Sequence, residues 1–294
     1  MRPQVVIVAT LILNAVMFVA NLAIALPGGS RAVLSQAIYS LSDLVAASLL
    51  LWGFFASQRR PTPDHPFGFG KERFFWAFIA SFVTFTIAGL AVLVTGLERI
   101  YAPAPVGELT AGIVVLGLSL IASVAGILVA LYELRHSKQT VASLIESSHI
   151  GVKTIFYQDI VSVAASVVAF VGIALVALAG WEVADGVAAS VVGALLIATG
   201  FVVTAESRDL LIGKSIPPVW AREILGFIER DPRIRGVRSM QSMLLGPDDA
   251  LLALRVNFVD GLTTDNIEME IDLLAAALRV QFPGIRHIII EPES

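Results

Sequence analysis

Residues 74–97 read FFWAFIASFVTFTIAGLAVLVTGL, a run without a single charged side chain. The hydrocarbon core of a bilayer is about 30 Å thick, and an α-helix needs about 20 apolar residues to cross it. This stretch therefore predicts a transmembrane helix. Similar stretches on both sides of it bring the predicted spans to six, at Val5–Leu26, Val33–Phe55, Phe74–Leu97, Leu109–Leu134, Gly151–Leu178 and Val183–Thr204.

The composition of the whole chain indicates the same class of protein. Of its 294 residues, 56% are hydrophobic and 15% are charged, with a mean hydropathy of +0.82. A soluble domain carries about 25% charged residues, so a soluble globule and a disordered chain are both excluded. The net charge of −4 argues against a nucleic-acid partner, and the lack of cysteine excludes disulfides and thiolate metal sites.

The distribution of basic residues predicts the orientation in the membrane. Six spans place both termini on one side, and cytoplasmic loops are enriched in Lys and Arg. The loops on the side of the termini hold eight basic residues against two on the other side (Arg2, Arg59, Arg60, Lys71, Arg73, Arg135, Lys138 and Lys153, against Arg31 and Arg99). We expect a multi-pass protein of a prokaryotic cytoplasmic membrane, with lipid as a partner and both termini in the cytosol.

The character of the sequence changes near residue 206, which predicts a transmembrane domain over 1–205 and a cytosolic domain over 206–294. Hydrophobic periodicity and turn residues predict the order α-β-β-α-β in the tail, with the second helix capped by Thr264 or Asp265. This order is a ferredoxin-like α+β arrangement. A domain of this size has a small core, so we expect its sheet face or edge to pair with a second copy.

Two carboxylates lie deep within predicted spans, Asp43 in the second and Asp159 in the fifth. A charged group at the bilayer centre costs several kcal/mol, so such residues are functional candidates by default. Neither has a Lys or Arg near it at membrane depth, so the two would repel each other or become protonated. A cation shared between them resolves this, and two protonated carboxyls hydrogen-bonded between helices are the alternative. Asn14 adds a polar side chain on span 1.

Several motifs resemble a known family. They are QAIYSLSD at residues 36–43, HPFGFGKERFFW at 65–76, Asp185-Gly186 with Ser190, LGPD at 245–248 and IIIEP at 288–292. Together they resemble the cation diffusion facilitator family over nearly the whole chain, and most closely its zinc-transporter-like branch. The resemblance implies six spans, a cytosolic ferredoxin-like domain, a homodimer, and efflux of divalent metal in exchange for protons.

The resemblance also implies a set of site residues. Asp43 and Asp159 match the metal-binding aspartates of the family, while Tyr39 and Gln158 stand where the branch has a histidine and a glutamate. Ile155 stands where better-known members have a histidine ligand.

Two further features follow from the resemblance. Lys71 matches a lysine that forms a charge interlock with an acidic residue after span 6, here Asp209 or, as the second choice, Glu206; positive-inside anchoring is the alternative role. The family also has a second metal site in the span 2–3 loop. Of its ligands, this chain keeps Asp64 and His65.

The chemistry of these residues bears on the transported ion. A site of carboxylate, amide, hydroxyl and water oxygens suits magnesium, manganese or ferrous iron, and the family resemblance keeps zinc among the candidates. No phosphate-binding loop is present, since Gly68-x-Gly70-Lys71 lacks the required spacing. We therefore expect an antiporter in which Asp43 and Asp159 take up protons when the metal leaves, without a cofactor beyond the transported ion.

Other functions remain open at this point. The replacements at Tyr39 and Gln158 also suit a degenerate family member that acts as a partner subunit or a metal sensor. Export of an organic or monovalent cation is a second alternative. No nucleophile–base pair is visible within the spans, so the sequence does not predict an enzyme.

Overall fold

The computed structural model describes residues 3–28, 31–102 and 150–293, together with residues 114, 117, 118, 120, 121, 124–128, 131 and 132. The chain divides into two compact units. Among the described residues, the first unit holds 3–56, 73–102, 150–208 and those between 114 and 132. The second holds 57–72 and 209–293.

The first unit is helical, and two of its helices extend into the second unit, α3 by its first residue and α6 by its last four residues, 209–212. Its elements are α1 (Pro3–Gly28), α2 (Arg31–Ala56), α3 (Glu72–Ser81), a π-helical segment (Phe82–Ala88), α4 (Gly89–Tyr101), α5 (Ile150–Ala179) and α6 (Val183–Ile212). Three stretches are long and apolar enough to cross a membrane, at Glu72–Tyr101, Asp159–Ala179 and Val183–Ile212, and shorter apolar stretches lie at Leu11–Ala20 and Asp43–Ala56. The chain is thus a helical membrane protein. Most of the predicted fourth span, Leu109–Leu134, lies outside the described residues.

Glycines allow α4 and α6 to approach each other closely. A Cβ atom on Gly96 would lie 2.5 Å from the amide nitrogen of Ser190, and one on Gly193 would lie 2.5 Å from that of Leu93. Small residues at helix contacts permit this approach in lipid, where no hydrophobic force drives helices together. The two helices are therefore held by backbone packing.

The second unit contains a three-stranded sheet and two helices. Its elements are α7 (Pro218–Ile228), β1 (Ile234–Gly246), β2 (Asp249–Phe258), α8 (Thr264–Gln281) and β3 (Ile285–Glu293). β1 pairs with β2 antiparallel, and β2 pairs with β3 parallel, in the order β1-β2-β3. The order of helices and strands along the chain is α-β-β-α-β.

The core of this unit lies on one face of the sheet. Alternate residues of β2 are buried, with Leu252 and Val256 at 0% exposure, and Ile224 of α7 and Leu278 of α8 are equally buried. Side chains alternate between the two faces of a strand, so the intervening residues of β2 lie on the opposite face. Ile289 of β3, which pairs with Ala253 on that face, is 56% exposed.

The helix cap predicted for α8 was wrong by one residue. The side chain of Thr263, and not that of Thr264 or Asp265, accepts a hydrogen bond from the backbone N–H of Asn266 at 3.3 Å. Three consecutive residues here carry an oxygen that suits a cap. The first of them takes that role, which leaves Asp265 in the first turn, where its charge is favourable near the helix N-terminus.

Candidate metal site between α1, α2 and α5

Three of the predicted site residues lie on helices of one unit. Asn14 lies near the middle of α1, Asp43 near the middle of α2, and Asp159 one-third of the way along α5; all three side chains are half-buried. α1 packs against both α2 and α5. The carboxylates of Asp43 and Asp159 lie close enough to interact electrostatically. The structure thus brings together the two aspartates that the sequence singled out.

Two polar atoms of this region are buried without a partner. Oδ2 of Asp159 and Nδ2 of Asn14 have no hydrogen-bond partner among the described residues. Buried polar atoms are almost always hydrogen-bonded, so each such atom requires an explanation. An Asn side chain presents an oxygen at the same place when its amide is flipped, and oxygen is a metal ligand. Oδ2 of Asp159 can accept a proton or contact a cation, and Asn14 can contact a cation only through its amide oxygen.

A glycine outside the predicted site lies directly against Asp159. Gly126 is buried, and a Cβ atom on it would lie 2.4 Å from Oδ2 of Asp159 and 3.0 Å from Oδ1. No side chain fits in that space, so the missing side chain of Gly126 leaves room for the carboxylate. The sequence analysis missed this residue, since a glycine within an apolar span gives no chemical signal of its own.

The charge balance at the site favours a cation. Among the residues that the structure describes, no Lys, Arg or His forms an ion pair with Asp159. The described residues also contain no group of three or more His, Asp or Glu side chains. A metal bound here would therefore have the carboxylates of Asp43 and Asp159 as its anionic ligands among the described residues. Amide, hydroxyl or water oxygens would have to complete the coordination of a metal.

Other predicted ligands lie on the same helices. Tyr39 is on α2, one turn before Asp43, and Gln158 precedes Asp159 on α5, where Ile155 also lies. The side chains of Tyr39, Gln158 and Ile155 are outside the described part of the structure. Their roles stay predictions from the resemblance.

Lys71 contacts the end of α6 within the second unit. Its Nζ donates to the backbone carbonyl oxygen of Leu211 at 3.2 Å and lies 3.8 Å from Sδ of Met243. The backbone carbonyl oxygen of Asp209 accepts from Gly213 and Lys214. No ion pair joins Lys71 and Asp209 in the described residues, and the proposed interlock stays a prediction.

Two of the four histidines, His65 and His287, lie in the described residues, and both are less suited to a metal. His65 and Asp64 lie on an exposed turn, and the ring of His65 lies 4.5 Å from that of Phe69. His287 on β3 has Nε2 at 3.7 Å from Oδ2 of Asp249. Burial raises the pKa of the Asp249 carboxyl, while the nearby His287 and Arg286 act in the opposite direction. No third acidic or imidazole group joins either pair among the described residues.

Several known proteins are similar to this chain in sequence. A metal tolerance protein of Arabidopsis thaliana is 24% identical over 81% of this chain and 53% of its own length. A mitochondrial proton-coupled zinc antiporter of Xenopus laevis is 25% identical over 94% of this chain and 51% of its own length. The cation-efflux pump FieF of Citrobacter koseri is 23% identical over 89% of this chain and 83% of its own length.

The chain spans about half the length of the first two of these relatives. The family model of the cation efflux transmembrane domain matches residues 7–212, which include the three residues of the candidate site and both helices of the glycine contact. The chain therefore belongs to the cation efflux family.

Proposed function

We propose that this protein exports a divalent metal cation in exchange for protons, with the ion held between Asp43 and Asp159. The observation that carries this proposal is the buried and unpartnered Oδ2 of Asp159, which lies close to a second carboxylate in an apolar helix bundle. Two neighbouring anions there need either a cation or protons. A site that accepts both in turn has the minimum chemistry of an antiporter.

The coupling follows from the mutual repulsion of the two aspartates. When the metal leaves, two negative charges remain close together at low dielectric, where their repulsion is strong. Protonation of one or both relieves it, and the protonated site cannot retain a divalent ion. Protons therefore enter as metal leaves on one side, and metal displaces protons on the other.

The donor set favours a hard ion. Carboxylate and amide oxygens suit manganese, ferrous iron and magnesium, whereas zinc sites usually include imidazole or thiolate. Zinc stays in the candidate group because one relative is named a proton-coupled zinc antiporter. The ion is the substrate, and no resident cofactor or catalytic chemistry is part of the proposal.

A transport assay tests this function directly. The purified full chain is reconstituted in liposomes that carry a pH-sensitive dye, and magnesium, manganese, ferrous iron, cobalt and zinc are added in turn. We expect at least one divalent ion to move and to produce proton flux in the opposite direction. Movement of no divalent ion would favour the partner-subunit or sensor alternative, and flux insensitive to divalent competitors would favour a monovalent or organic cation.

A replacement at Tyr39 is expected to change the preference among metals. Tyr39→His places an imidazole four residues before Asp43 and on the same face of α2. We expect zinc to gain over manganese by about tenfold, since imidazole is a preferred zinc ligand. The ratio of zinc to manganese uptake is measured in liposomes. An unchanged ratio in a variant that still transports would show that Tyr39 does not face the ion.

We propose six spans, with both termini and residues 206–294 on the cytosolic side of a prokaryotic cytoplasmic membrane. The apolar stretch over 109–134 and the excess of basic residues in the loops on the side of the termini support this topology. Accessibility of single introduced cysteines to a membrane-impermeant reagent tests it, because the natural chain contains no cysteine.

We propose further that the cytosolic domain is ferredoxin-like and assembles the protein as a homodimer. On the sheet face opposite α7 and α8, the side chain of Ile289 is 56% exposed. A domain this small has a limited core, so burial of this face against a second copy would stabilise it. Two-fold dimers are the most common oligomers. The driving force for association of the membrane helices is weaker, because lipid is as apolar as their outer faces.

The fragment Pro217–Ser294 is therefore expected to be soluble and dimeric without the membrane part. Its dimerisation should need no metal, since His287 is its only histidine. Sedimentation of the fragment with a chelator measures this. The fragment with Ile289→Glu is the matched variant and should be monomeric. A wild-type fragment that is monomeric at micromolar concentration would place the dimer contact in the spans or make it dependent on an ion.

A further inference from the structure

The second unit contains a cleft whose lining includes no residue of the candidate metal site. It lies between the C-terminal parts of α7 and α8 and has a volume of about 380 Å³. This volume falls in the range of about 300–1,000 Å³ that is usual for small-molecule sites. Its lining combines two kinds of side chain that recognise different parts of a ligand.

The first kind is basic. Arg222 and Arg230 line the cleft with exposed side chains. Neither guanidinium forms an ion pair or a side-chain hydrogen bond among the described residues, whereas Arg233, Arg235 and Arg255 of the same unit all pair with carboxylates. One carboxylate, that of Glu223, also lines the cleft. The cleft is therefore net positive and keeps two planar donors for phosphate or carboxylate groups.

The second kind is aromatic. The rings of Phe227 and Phe282 lie 6.1 Å apart, edge to face, and both are half-buried in the lining. Gly226 lies between the two arginines in the sequence. A Cβ atom on it would have no atom within 4 Å, so the cleft is open at this position. A flat ring can therefore enter beside the phenylalanines. The amide of Gln281 lies in the same lining and can pair with a ring edge.

We propose that this cleft binds a nucleotide. The base would contact Phe227 and Phe282, and the phosphates would accept hydrogen bonds from Arg222 and Arg230. An inorganic anion would leave the aromatic side chains without a contact and would face the carboxylate of Glu223. An uncharged aromatic compound would leave both guanidinium groups unpaired. A ligand with a flat ring at one end and phosphates at the other satisfies both kinds of side chain.

Calorimetric titration of the purified full chain with ATP, in detergent and with a chelator present, tests the proposal. The chelator removes divalent metal, so that the transport site does not contribute to the signal. We expect saturable binding of ATP, and binding of adenosine or inorganic triphosphate weaker by about tenfold or more, because each lacks one half of the contacts. No saturable binding at millimolar ATP would overturn the proposal, and triphosphate binding equal to that of ATP would overturn the role of the aromatic rings.

Three variants locate the binding within the molecule. The double replacement Arg222→Gln and Arg230→Gln should weaken ATP binding by about tenfold or more, since charge-assisted hydrogen bonds are lost. Arg235→Gln with Arg255→Gln removes the same charge outside the cleft and should leave binding unchanged. Gly226→Met extends a flexible side chain from a position where a Cβ atom meets no atom within 4 Å, and methionine favours the helix, so it should occupy the cleft and also abolish binding. Equal losses in both arginine pairs, or full binding in Gly226→Met, would contradict the assignment.

Discussion

Asp159→Asn and Asp43→Asn are each expected to abolish metal transport while the protein remains folded. The asparagine has nearly the same shape, but it removes one of the two charges that hold the divalent ion. Loss of a residue that hydrogen-bonds to a metal ligand typically costs about 10–100-fold in metal affinity or activity, and loss of a direct ligand should cost at least as much. Uptake of manganese and zinc into liposomes measures the effect.

Folding of these variants should not suffer, because a neutral amide in an apolar bundle costs less than an isolated carboxylate. Asp260→Asn is the matched control, since Asp260 is 80% exposed in the second unit and pairs with Arg235. It should retain wild-type flux. Wild-type flux in Asp43→Asn or in Asp159→Asn would remove that aspartate from the site.

Gly126→Ala is expected to lower transport by about tenfold or more, although it adds a single methyl group. The new Cβ atom would lie 2.4 Å from Oδ2 of Asp159, far closer than van der Waals contact allows. The carboxylate must therefore move, and a displacement of about 1 Å at a functional group can cost about 100-fold. Alanine favours a helix by about 1 kcal/mol over glycine, so a loss of flux would not reflect a weaker helix.

Gly117→Ala provides the control for this prediction. Gly117 is an exposed helical residue, and a Cβ atom on it would meet no atom within 4 Å. Its replacement should leave flux unchanged and should not lower thermal stability, since alanine favours the helix here as well. The double variant Gly126→Ala with Asp159→Asn should be no worse than Asp159→Asn alone, because both changes act through one side chain. Wild-type flux in Gly126→Ala would mean that the Asp159 carboxylate does not bind the ion in this position.

Much of the helical framework could be predicted from local sequence. Long apolar runs predict α1, α2, α5 and α6, because the bilayer imposes a minimum length on each span. The predicted last span ends at Thr204, yet α6 continues to Ile212. The apolar run ends before Glu206, where charged residues begin, whereas the helix continues about two turns beyond Thr204.

The π-helical segment Phe82–Ala88 could not be predicted in this way. Its residues are as apolar as those before and after it, so hydropathy carries no signal for the change. The close contact between α4 and α6, by contrast, is indicated by the spacing of glycines in the sequence. Gly89 and Gly96 are seven residues apart, as are Gly186 and Gly193, a spacing that places small residues on one helix face.

The candidate site was predictable where chemistry alone identifies a residue. A carboxylate within a span is costly wherever it occurs, so Asp43 and Asp159 could be selected without a structure. Gly126 could not, because its role depends on which residue lies opposite, and that contact joins positions far apart in the chain. The contacts of Lys71 with Leu211 and Met243 are equally non-local.

The central claim is that a divalent ion binds between Asp43 and Asp159. A manganese-bound structure, with the ion located by its anomalous scattering, tests this claim most directly. We predict one peak in the membrane unit, within about 2.0–2.6 Å of a carboxylate oxygen of each aspartate, as expected for hard cations with oxygen ligands. The peak should be missing in Asp159→Asn crystals prepared in the same way. A manganese peak elsewhere in the membrane unit, or an undiminished peak in Asp159→Asn, would contradict the account.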